Sequence, residues 1–244
     1  MTIADKAVLV TGANRGIGQA LVEEALRRGA KRVYAGTRQP LAHIDGRVRS
    51  LTLDVTNTEQ IQAAVQRVES EFLDVLINNA GIALYDNLTN LDAIGQHLAV
   101  NLFGMFNVTR AFLPLLKRSK GAIVNNLSLV ALAGLPVIPA YSISKAAAFN
   151  MTQSLRALLA GQGVTVHAVV LGPIDTDMNR GLDIPKASPE SAAQGIFDGL
   201  EKGEDDIFPD PASQSIAADW RTGAAKALER QFAGFVPETA ATLG

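Results

Sequence analysis

Cysteine is absent from this chain of 244 residues, which excludes disulfide bonds, thiol catalysis and cysteine-ligated zinc. The three histidines, His43, His97 and His167, lack the spacing of a metal site or of a catalytic triad, so no metal is expected. Long runs of one charge are also absent. The 22 basic and 24 acidic residues give a net charge of -2, which does not favour a nucleic-acid partner.

Long apolar runs are missing as well. No uninterrupted apolar stretch reaches the roughly 18 residues of a membrane span. Residues 1–6 lead directly into a short apolar strand, without the longer apolar stretch of a signal peptide. These absences predict a cytoplasmic protein with no membrane partner.

Hydrophobic residues nevertheless make up 48% of the chain, and they occur in short runs separated by helical stripes. The runs predict strands at residues 7–10, 32–36, 48–53, 74–77, 122–125, 164–170 and 207–208. Strands that alternate with helices are typical of a doubly wound parallel sheet, so we predict an α/β, Rossmann-like fold of about seven strands. We interpret residues 1–244 as one domain, with a nucleotide-binding half at about 1–125 and a catalytic half at about 126–244.

Helical spacing marks several segments between these strands. Two stripes are expected to be buried: Ile61, Ala64, Val65, Val68 and Phe72 in one helix, and Phe103, Phe106, Ala111 and Leu115 in a helix that begins at Asn101. A further helix is predicted from Ser188, its N-cap, to Gly203. Residues 213–234 predict a last helix, with Trp220, Ala224, Leu228 and Phe232 in register.

Glycines stand at the junction of the first strand and the first helix. Gly12, Gly16 and Gly18 allow a tight turn and let a pyrophosphate approach the positive end of the helix. Asn14, Arg15 and Ile17 fill the positions between them. The pattern differs in spacing from the common G-x-G-x-x-G fingerprint but favours the same dinucleotide site.

The second strand ends in Thr37 and Arg38, and no carboxylate lies between Val33 and Leu41. In dinucleotide folds an acidic residue at this point binds the ribose of NAD, whereas an arginine accommodates the 2′-phosphate of NADP. Arg15 in the glycine turn adds a second cation. We therefore predict NADP(H), with NAD(H) the alternative.

Tyr141 and Lys145 are four residues apart, at the start of a predicted helix, and so share one helical face. A nearby ammonium lowers the pKa of a phenol by roughly 1–3 units, which brings proton transfer towards neutral pH. The pair is therefore a candidate general acid and base.

Along most of its length the chain resembles the short-chain dehydrogenase/reductase family. The motif T-G-x-x-x-G-x-G matches Thr11, Gly12, Gly16 and Gly18, the adenine-side acid matches Asp54, and N-N-A-G matches Asn78, Asn79, Ala80 and Gly81. The catalytic tetrad of the family matches Asn101, Ser128, Tyr141 and Lys145, with 13 residues from Ser128 to Tyr141 (141 − 128). The usual Pro-Gly pair is Leu171-Gly172 here, which puts the position of the following loop in doubt.

The resemblance implies hydride transfer between a nicotinamide and a carbonyl carbon. Tyr141 would transfer the proton, and Lys145 would lower the Tyr141 pKa and hold the nicotinamide ribose. Ser128 would hydrogen-bond the carbonyl oxygen, and Asn101 would hold a water next to Lys145. Cofactor contacts would come from Gly12, Asn14, Arg15, Gly16, Ile17, Gly18, Thr37, Arg38, Asp54, Val55, Asn79, Ala80, Gly81, Tyr141, Lys145, Gly172, Ile174 and Thr176.

The substrate is specified only by apolar candidates: Leu84, Tyr85, Val130, Met178 and Leu182. They favour a hydrophobic ketone or aldehyde, in a site left open because the segment after Thr176 is short for a lid. The predicted function is interconversion of that carbonyl compound with an alcohol.

Two alternatives remain. A reductase of carrier-bound 3-oxoacyl thioesters would need a basic surface, for which only scattered cations such as Arg110, Lys117 and Arg118 are available. A non-catalytic NADP(H) sensor would have no need of an intact tetrad. The resemblance further implies a homotetramer or homodimer, assembled through the helices that carry Asn101 and Tyr141.

Overall fold

The computed structural model describes residues 1–69, 72–89 and 91–236. Its strands are β1 (Ala7–Thr11), β2 (Arg32–Thr37), β3 (Val48–Thr52), β4 (Val75–Asn78), β5 (Ala122–Asn126), β6 (Thr165–Val169) and β7 (Asp206–Ile207). Each strand ends within one residue of its predicted bounds, because short apolar runs between turn residues mark buried strands clearly. The strands form one parallel sheet in the order β3-β2-β1-β4-β5-β6-β7, so the predicted α/β fold is confirmed.

The sheet reverses its direction of growth beside β1. The chain runs outward from β1 through β2 to β3, then returns to β4 and continues the other way to β7. Val8 on β1 accordingly pairs with Val33 on β2 and with Val75 on β4. Ligands of such sheets bind in the crevice at the carboxyl ends of the strands, next to this reversal. The ends of β1, β4 and β5 therefore define the place where a functional site is expected.

Helices cover both faces of the sheet. They are α1 (Gly16–Arg27), α2 (Thr58–Glu69), α3 (Leu91–Leu98), α4 (Met105–Ser119), α5 (Pro139–Ala160), α6 (Pro189–Lys202), α7 (Pro211–Thr222) and α8 (Ala224–Phe232). On one face α1 and α6 bury Leu21 and Phe197, and on the other α2, α4 and α5 enclose Phe112 and Leu116. These two apolar layers hold the sheet, and with it the site, in place.

The expected helix start at Asn101 is wrong. Asn101 lies in a π-helical stretch, Ala99–Gly104, that joins α3 to α4 in one continuous helix. The wider turn shifts the register, so Phe103 is 55% exposed and Phe106 is 40% exposed instead of buried. Leu115 is buried as expected. Phe72, the last member of the stripe on α2, lies beyond that helix and is 74% exposed.

The helix Leu91–Ser119 is long and apolar enough to cross a membrane by length and composition alone. Core helices of globular proteins meet the same test. Here its two halves pack against α2, α5 and β4, and it buries the polar side chains His97, Asn101 and Thr109. We therefore assign it to the core of the fold.

The predicted caps of α6 are confirmed. The Ser188 hydroxyl accepts a hydrogen bond from the Ser191 amide, and Gly203 ends the helix in the left-handed region with φ 73°. The single helix expected over residues 213–234 is wrong, because Gly223 divides it into α7 and α8. As a result Leu228 and Phe232 are exposed, whereas Trp220 packs edge-on against Phe149 with the ring centroids 5.5 Å apart.

A buried ion cluster fastens the C-terminal helices to the sheet. Asp206 on β7 accepts hydrogen bonds from Lys226 Nζ (2.7 Å), Arg156 (2.8 Å) and Trp220 Nε1 (2.8 Å). Glu229 pairs with both Arg156 and Lys226. Burial alone would raise the pKa of Asp206, but the charge of Arg156 and the bonds from Lys226 and Trp220 outweigh it and hold that pKa below its usual value.

We expect Asp206→Ala to lower the free energy of unfolding by about 3 kcal/mol or more, because it removes one of the two carboxylates that Arg156 and Lys226 share in a buried site and leaves Glu229 alone with both cations. Urea unfolding at neutral pH measures this loss. Since the folded pKa is lowered, the contribution of Asp206 is present at neutral pH and disappears as the pH falls below about 4. The difference between the two proteins should therefore shrink in acid.

Glu204→Ala is the matched control, because Glu204 pairs with Arg221 at 3.1 Å where both side chains are substantially exposed. Such a surface pair contributes about 0–1 kcal/mol. Equal losses for the two variants would show that the cluster around Asp206 does not behave as a buried one.

Candidate active site

The first wall of the site is the turn between β1 and α1. Gly12 and Gly16 adopt φ of 66° and 53°, which side chains rarely tolerate. Gly18 has ordinary dihedrals, but a Cβ there would lie 2.0 Å from the Gly12 carbonyl oxygen. Among the described residues, the N-cap Arg15 gives no side-chain hydrogen bond to the start of α1. The first amides of α1 thus face a cradle without side chains, which suits the pyrophosphate of a dinucleotide.

The N-N-A-G segment is tied directly to this turn. Asn79 Nδ2 donates to the carbonyl oxygens of Thr11 (2.9 Å) and Gly12 (3.2 Å). In return, the Thr11 hydroxyl accepts from the backbone amides of Asn79 and Ala80, both at 3.0 Å. These four bonds fix the ends of β1 and β4 relative to each other.

The residues predicted to select the cofactor lie around the other end of the crevice. The Thr37 hydroxyl is buried and donates to the Gln39 carbonyl. Burial would raise the pKa of Asp54, but hydrogen bonds from Thr56 and the charge of Arg38 lower it overall. Arg38 therefore acts on Asp54 electrostatically, and the exposed Arg15 side chain bonds Asp177 at 3.1 Å.

The four tetrad residues meet at the carboxyl ends of β4 and β5. The Ser128 hydroxyl lies near enough to the Tyr141 phenol to act on its pKa, and it accepts a hydrogen bond from the Val130 amide at 3.4 Å. Lys145 Nζ donates to the Asn126 carbonyl oxygen at 2.8 Å and lies 5.7 Å from the centroid of the Tyr141 ring. The structure thus brings together residues that are up to 44 positions apart in the chain (145 − 101).

Asn101 holds this arrangement from beneath. Its Oδ1 accepts from the Ile82 amide, and its Nδ2 donates to the Ile82 carbonyl and to Ser144 Oγ, each at 2.9 Å. Ser144 in turn donates to the Tyr141 carbonyl oxygen at 2.7 Å. Asn101 therefore connects the π-helical stretch, the loop after Gly81 and α5. The water that it is expected to hold stays a prediction.

Burial sets the charges of the catalytic pair. It raises the pKa of Tyr141 to about 12, although the hydrogen bond from Ser128 acts in the opposite direction. It also lowers the pKa of Lys145 to about 8. The expected lowering of the Tyr141 pKa by Lys145 is not found, because the ammonium is bonded to the Asn126 carbonyl and both groups are removed from water. At neutral pH Tyr141 is thus a neutral phenol, ready to donate a proton.

Two side chains that the sequence did not identify as site residues fix the loop carrying Leu84 and Tyr85. His97 is fully buried; its Nε2 accepts from the Leu84 amide at 2.9 Å and its Nδ1 donates to the Ala93 carbonyl at 2.7 Å, a tautomer assigned from these partners. Its ring meets Tyr141 edge-on with centroids 6.1 Å apart. Asp86 Oδ2 accepts from the Ala140 amide at 3.2 Å and so caps α5 from outside the helix.

His97 lies one helical turn from Asn101, but its hydrogen-bond partners are Leu84 and Ala93. Nothing local in the sequence indicates the role of Asp86. Both contacts join segments that meet only in the folded chain.

The segment after β6 closes the crevice. The Gly172 amide donates to Asp210 Oδ2 at 2.8 Å, and a Cβ at Gly172 would lie 2.4 Å from Asp210 Oδ1. Asp210 also caps α7 through Ser213. It is a third supporting residue that the sequence did not reveal. Leu171 is buried in the core, so the change from the usual proline leaves no exposed side chain.

The loop that begins at Ile174 lies on the glycine turn. Ile174 pairs with Ala187 in an isolated parallel bridge that closes the base of the loop. Thr176 Cγ2 is 3.0 Å from the position that a Cβ on Gly16 would occupy. The cofactor crevice is therefore bounded by the turn on one side and by this loop on the other.

The structure brings only some of the predicted substrate residues together. Leu84, Tyr85 and Met178 are exposed, and Leu182 and Val130 are half-buried. Val130 lines a groove of about 410 Å³ with Leu88, Leu135, Ile143 and Ala146, mainly apolar side chains. As far as the described residues go, neither Ser128 nor Tyr141 lines this groove, so it neighbours the catalytic pair without containing it.

Comparison with known proteins agrees with this geometry. Residues 6–186 match the model of the short chain dehydrogenase family, which is more than half of the chain. The chain therefore belongs to the short-chain dehydrogenase family, a family of oxidoreductases.

Particular relatives are similar along most of this chain. The 3-oxoacyl-[acyl-carrier-protein] reductase FabG of Vibrio cholerae is 34% identical over 193 residues, which cover 75% of this chain and 79% of that protein. The 2-(S)-hydroxypropyl-CoM dehydrogenase 3 of Xanthobacter autotrophicus is 35% identical over 208 residues, covering 80% and 82%. The crystal structure of a short chain dehydrogenase from Burkholderia cenocepacia in complex with NADP has a TM-score of 0.86 and 38% identity, covering 97% of this chain and 100% of that one.

We expect Gly18→Ala to weaken NADPH binding at least about tenfold, because a methyl group 2.0 Å from the Gly12 oxygen must displace the turn that holds the pyrophosphate. Fluorescence titration with NADPH measures the Kd. Gly134→Ala is the control, since a Cβ there meets no atom of the described residues within 4 Å. An unchanged Kd for Gly18→Ala would place the pyrophosphate elsewhere.

Proposed function

We propose that this chain is an NADP(H)-dependent oxidoreductase that interconverts a ketone or aldehyde with the corresponding alcohol. The observation that carries the proposal is the buried Tyr141 phenol, with the Ser128 hydroxyl acting on its pKa and Lys145 Nζ 5.7 Å from the centroid of its ring. The cofactor, when bound, supplies or accepts the hydride. The protein then has to bind and orient the cofactor and the substrate, and to protonate the substrate oxygen.

Binding of NADP(H) is supported by the cradle and by the charges near it. Gly12, Gly16 and Gly18 leave room for the pyrophosphate, and no side chain of another type fits at Gly18. Arg15 and Arg38 would hold the 2′-phosphate, since a guanidinium pairs well with phosphate oxygens. The similar Burkholderia structure contains NADP, which supports the same choice here.

The protonation state of Tyr141 at neutral pH is compatible with reduction of the carbonyl group. A phenol with a pKa of about 12 carries its proton at neutral pH and can give it to the developing alkoxide. Ser128, whose hydroxyl acts on the pKa of Tyr141, would orient the same oxygen. Lys145 would hold the nicotinamide ribose and stabilise negative charge as the phenol gives up its proton. Asn101 and Ser144 keep α5, and so Tyr141, in position.

We further propose a hydrophobic substrate, because the loop side chains at the crevice and the groove beside α5 are mainly apolar. Reduction of 3-oxoacyl thioesters is the second candidate. The similarity to the FabG reductase favours it, and Arg110 and Arg118 on α4 are exposed. Salt-sensitive binding of an acyl carrier protein would distinguish the two. The intact tetrad argues against a non-catalytic sensor.

A homodimer or homotetramer is proposed as the working form. Phe103 in the π-helical stretch, Phe106 on α4 and Ile143 on α5 are exposed apolar side chains on the two helices that the resemblance assigns to assembly. Phe232 and Phe235 add a second exposed apolar area near the last described residues. Such patches are typical of contact surfaces. A cytoplasmic location stays our prediction.

We expect Tyr141→Phe to lower kcat for NADPH-dependent carbonyl reduction by about 10²–10⁴-fold, because it removes the proton donor and little else. NADPH oxidation, followed at its absorbance band against a panel of aldehydes, ketones and 3-oxoacyl thioesters, measures the effect. The Kd for NADPH should stay within about threefold, since general acid catalysis is separate from cofactor affinity. Retained turnover, or complete loss of NADPH binding, contradicts the assigned role.

The lowered pKa of Lys145 predicts a pH dependence. The ammonium form is present below the pKa of about 8 and is lost above it, so kcat/KM for the carbonyl substrate should fall as the pH rises through about 8. In Lys145→Arg the charge persists, and the fall should move to higher pH although the maximal rate is lower. A profile without a fall between about pH 6 and about pH 10 would remove Lys145 from the rate-determining proton transfer.

A further inference from the structure

An exposed ion pair joins the loop after Thr176 to the glycine turn. Arg15 donates from one terminal nitrogen to Asp177 Oδ2 at 3.1 Å, with 68% and 47% of the two side chains exposed. Arg15 stands immediately before α1, and Asp177 opens a 3₁₀ turn, Asp177–Asn179. The arginine that is proposed to hold the 2′-phosphate is thus already paired with a carboxylate.

The loop backbone holds Asp177 against this arginine. The bridge between Ile174 and Ala187 closes the loop, and Asn179 Nδ2 donates to the Ile174 carbonyl at 2.8 Å. Thr176 rests on Gly16 at the spacing given above. Asp177 therefore reaches Arg15 from a restrained position, which distinguishes the pair from a chance meeting of two mobile side chains.

Asp177 also has a second cationic partner. Its other carboxylate oxygen accepts from Arg180, three residues further along the same loop. If Arg15 turns to another anion, Asp177 keeps Arg180. The exchange then leaves no isolated charge.

The 2′-phosphate of NADPH carries about -1.5 to -2 charges and three acceptor oxygens. It is therefore a stronger partner for a guanidinium than a half-exposed carboxylate. A carboxylate on the same guanidinium is also a like charge close to that phosphate and repels it. NADH has no such phosphate and makes no demand on Arg15.

We propose that Asp177 is a cofactor-specificity residue, which competes with the 2′-phosphate for Arg15 and so lowers the preference for NADPH over NADH. The proposal rests on the role assigned to Arg15 under the proposed function. Its direction is definite: the native carboxylate weakens NADPH binding and leaves NADH binding nearly unchanged.

The test is a double-mutant cycle on the full chain, with the Kd for NADPH and for NADH measured by fluorescence titration. Asp177→Asn should lower the Kd for NADPH by about two- to fivefold, the range expected when an exposed pair no longer has to be exchanged. The Kd for NADH should change by less than about 1.5-fold, because no contact with NADH is altered. In an Arg15→Gln background, Asp177→Asn should have no effect on either cofactor.

Asp175→Asn is the matched control. Asp175 is an exposed carboxylate two positions away on the same loop, and within the described ranges it has no ion-pair partner. If Asp175→Asn strengthens NADPH binding as much as Asp177→Asn does, the effect is one of net charge and the proposal fails.

The other outcomes separate the proposal from the function on which it rests. A higher Kd for NADPH in Asp177→Asn shows that the carboxylate orients Arg15. Equal changes in the Kd for NADPH and for NADH show that the carboxylate acts on the loop alone. Either result contradicts the proposal that Asp177 competes with the 2′-phosphate. If Arg15→Gln leaves the ratio of the NADPH and NADH affinities unchanged, Arg15 does not hold the 2′-phosphate. The role proposed for Arg15 in cofactor binding is then wrong, whatever Asp177 does. If Arg15→Gln reduces that ratio and Asp177→Asn changes nothing, only the competition is wrong.

Discussion

A series of asparagine hydrogen bonds runs through the site from the glycine turn to Lys145. Asn79 Nδ2 binds the Gly12 carbonyl, Asn126 Nδ2 binds Asn79 Oδ1 at 3.0 Å, and the Asn126 carbonyl binds Lys145 Nζ. Where parallel strands end, their backbone ladder ends too, and side-chain amides take over the pairing between neighbouring segments. Because each amide offers a donor and an acceptor in one rigid plane, the series fixes distances as well as contacts. The positions of the glycine turn and of Lys145 therefore depend on each other.

The burial that makes the asparagine hydrogen bonds specific also sets the protonation states of Tyr141 and Lys145. Removal from water favours the neutral form of both catalytic groups, so the phenol keeps its proton and the ammonium holds its own less tightly. At neutral pH Tyr141 is therefore a neutral phenol, whose proton becomes harder to release as burial raises its pKa. The buried Oδ1 atoms of Asn78 and Asn126 have no hydrogen-bond partner among the described residues. The fold alone therefore leaves two of these buried acceptors without a hydrogen bond.

Local sequence patterns predicted the strands, turns and helix caps, but they did not predict the contacts that hold the site residues in position. The strands, the glycine turn and the caps of α6 follow from short-range rules of burial, turn geometry and capping, and the sequence predicted them closely. The π-helical stretch at Asn101 could not be foreseen, because no local residue preference requires it; it is held by contacts to Ile82 and Ser144 that exist only after folding. Its shift of register then exposed Phe103 and Phe106.

The same reasoning explains why the site residues were easier to find than the residues that position them. Gly18, Ser128 and Tyr141 belong to spacings that a reader of the sequence can recognise. His97 and Asp86 act through one hydrogen bond each, on the backbone of a segment remote in the chain or on the end of a different helix. Periodicity places His97 in a helix but gives no information about its partner. The lowered pKa expected for Tyr141 failed for a related reason, since spacing alone does not show whether burial or charge dominates.

The segment beyond residue 186, outside the family match, shapes the site without carrying any predicted site residue. Asp210 binds the Gly172 amide, and the cluster of Asp206, Lys226 and Arg156 ties the C-terminal helices to β7 and α5. The segment beyond residue 186 thus positions the Gly172 backbone and supports α5. Changes there would therefore act on the Gly172 segment through Asp210, and on α5, which carries Tyr141, through Arg156. The residues within the family match thus depend for their position on a segment that the match does not cover.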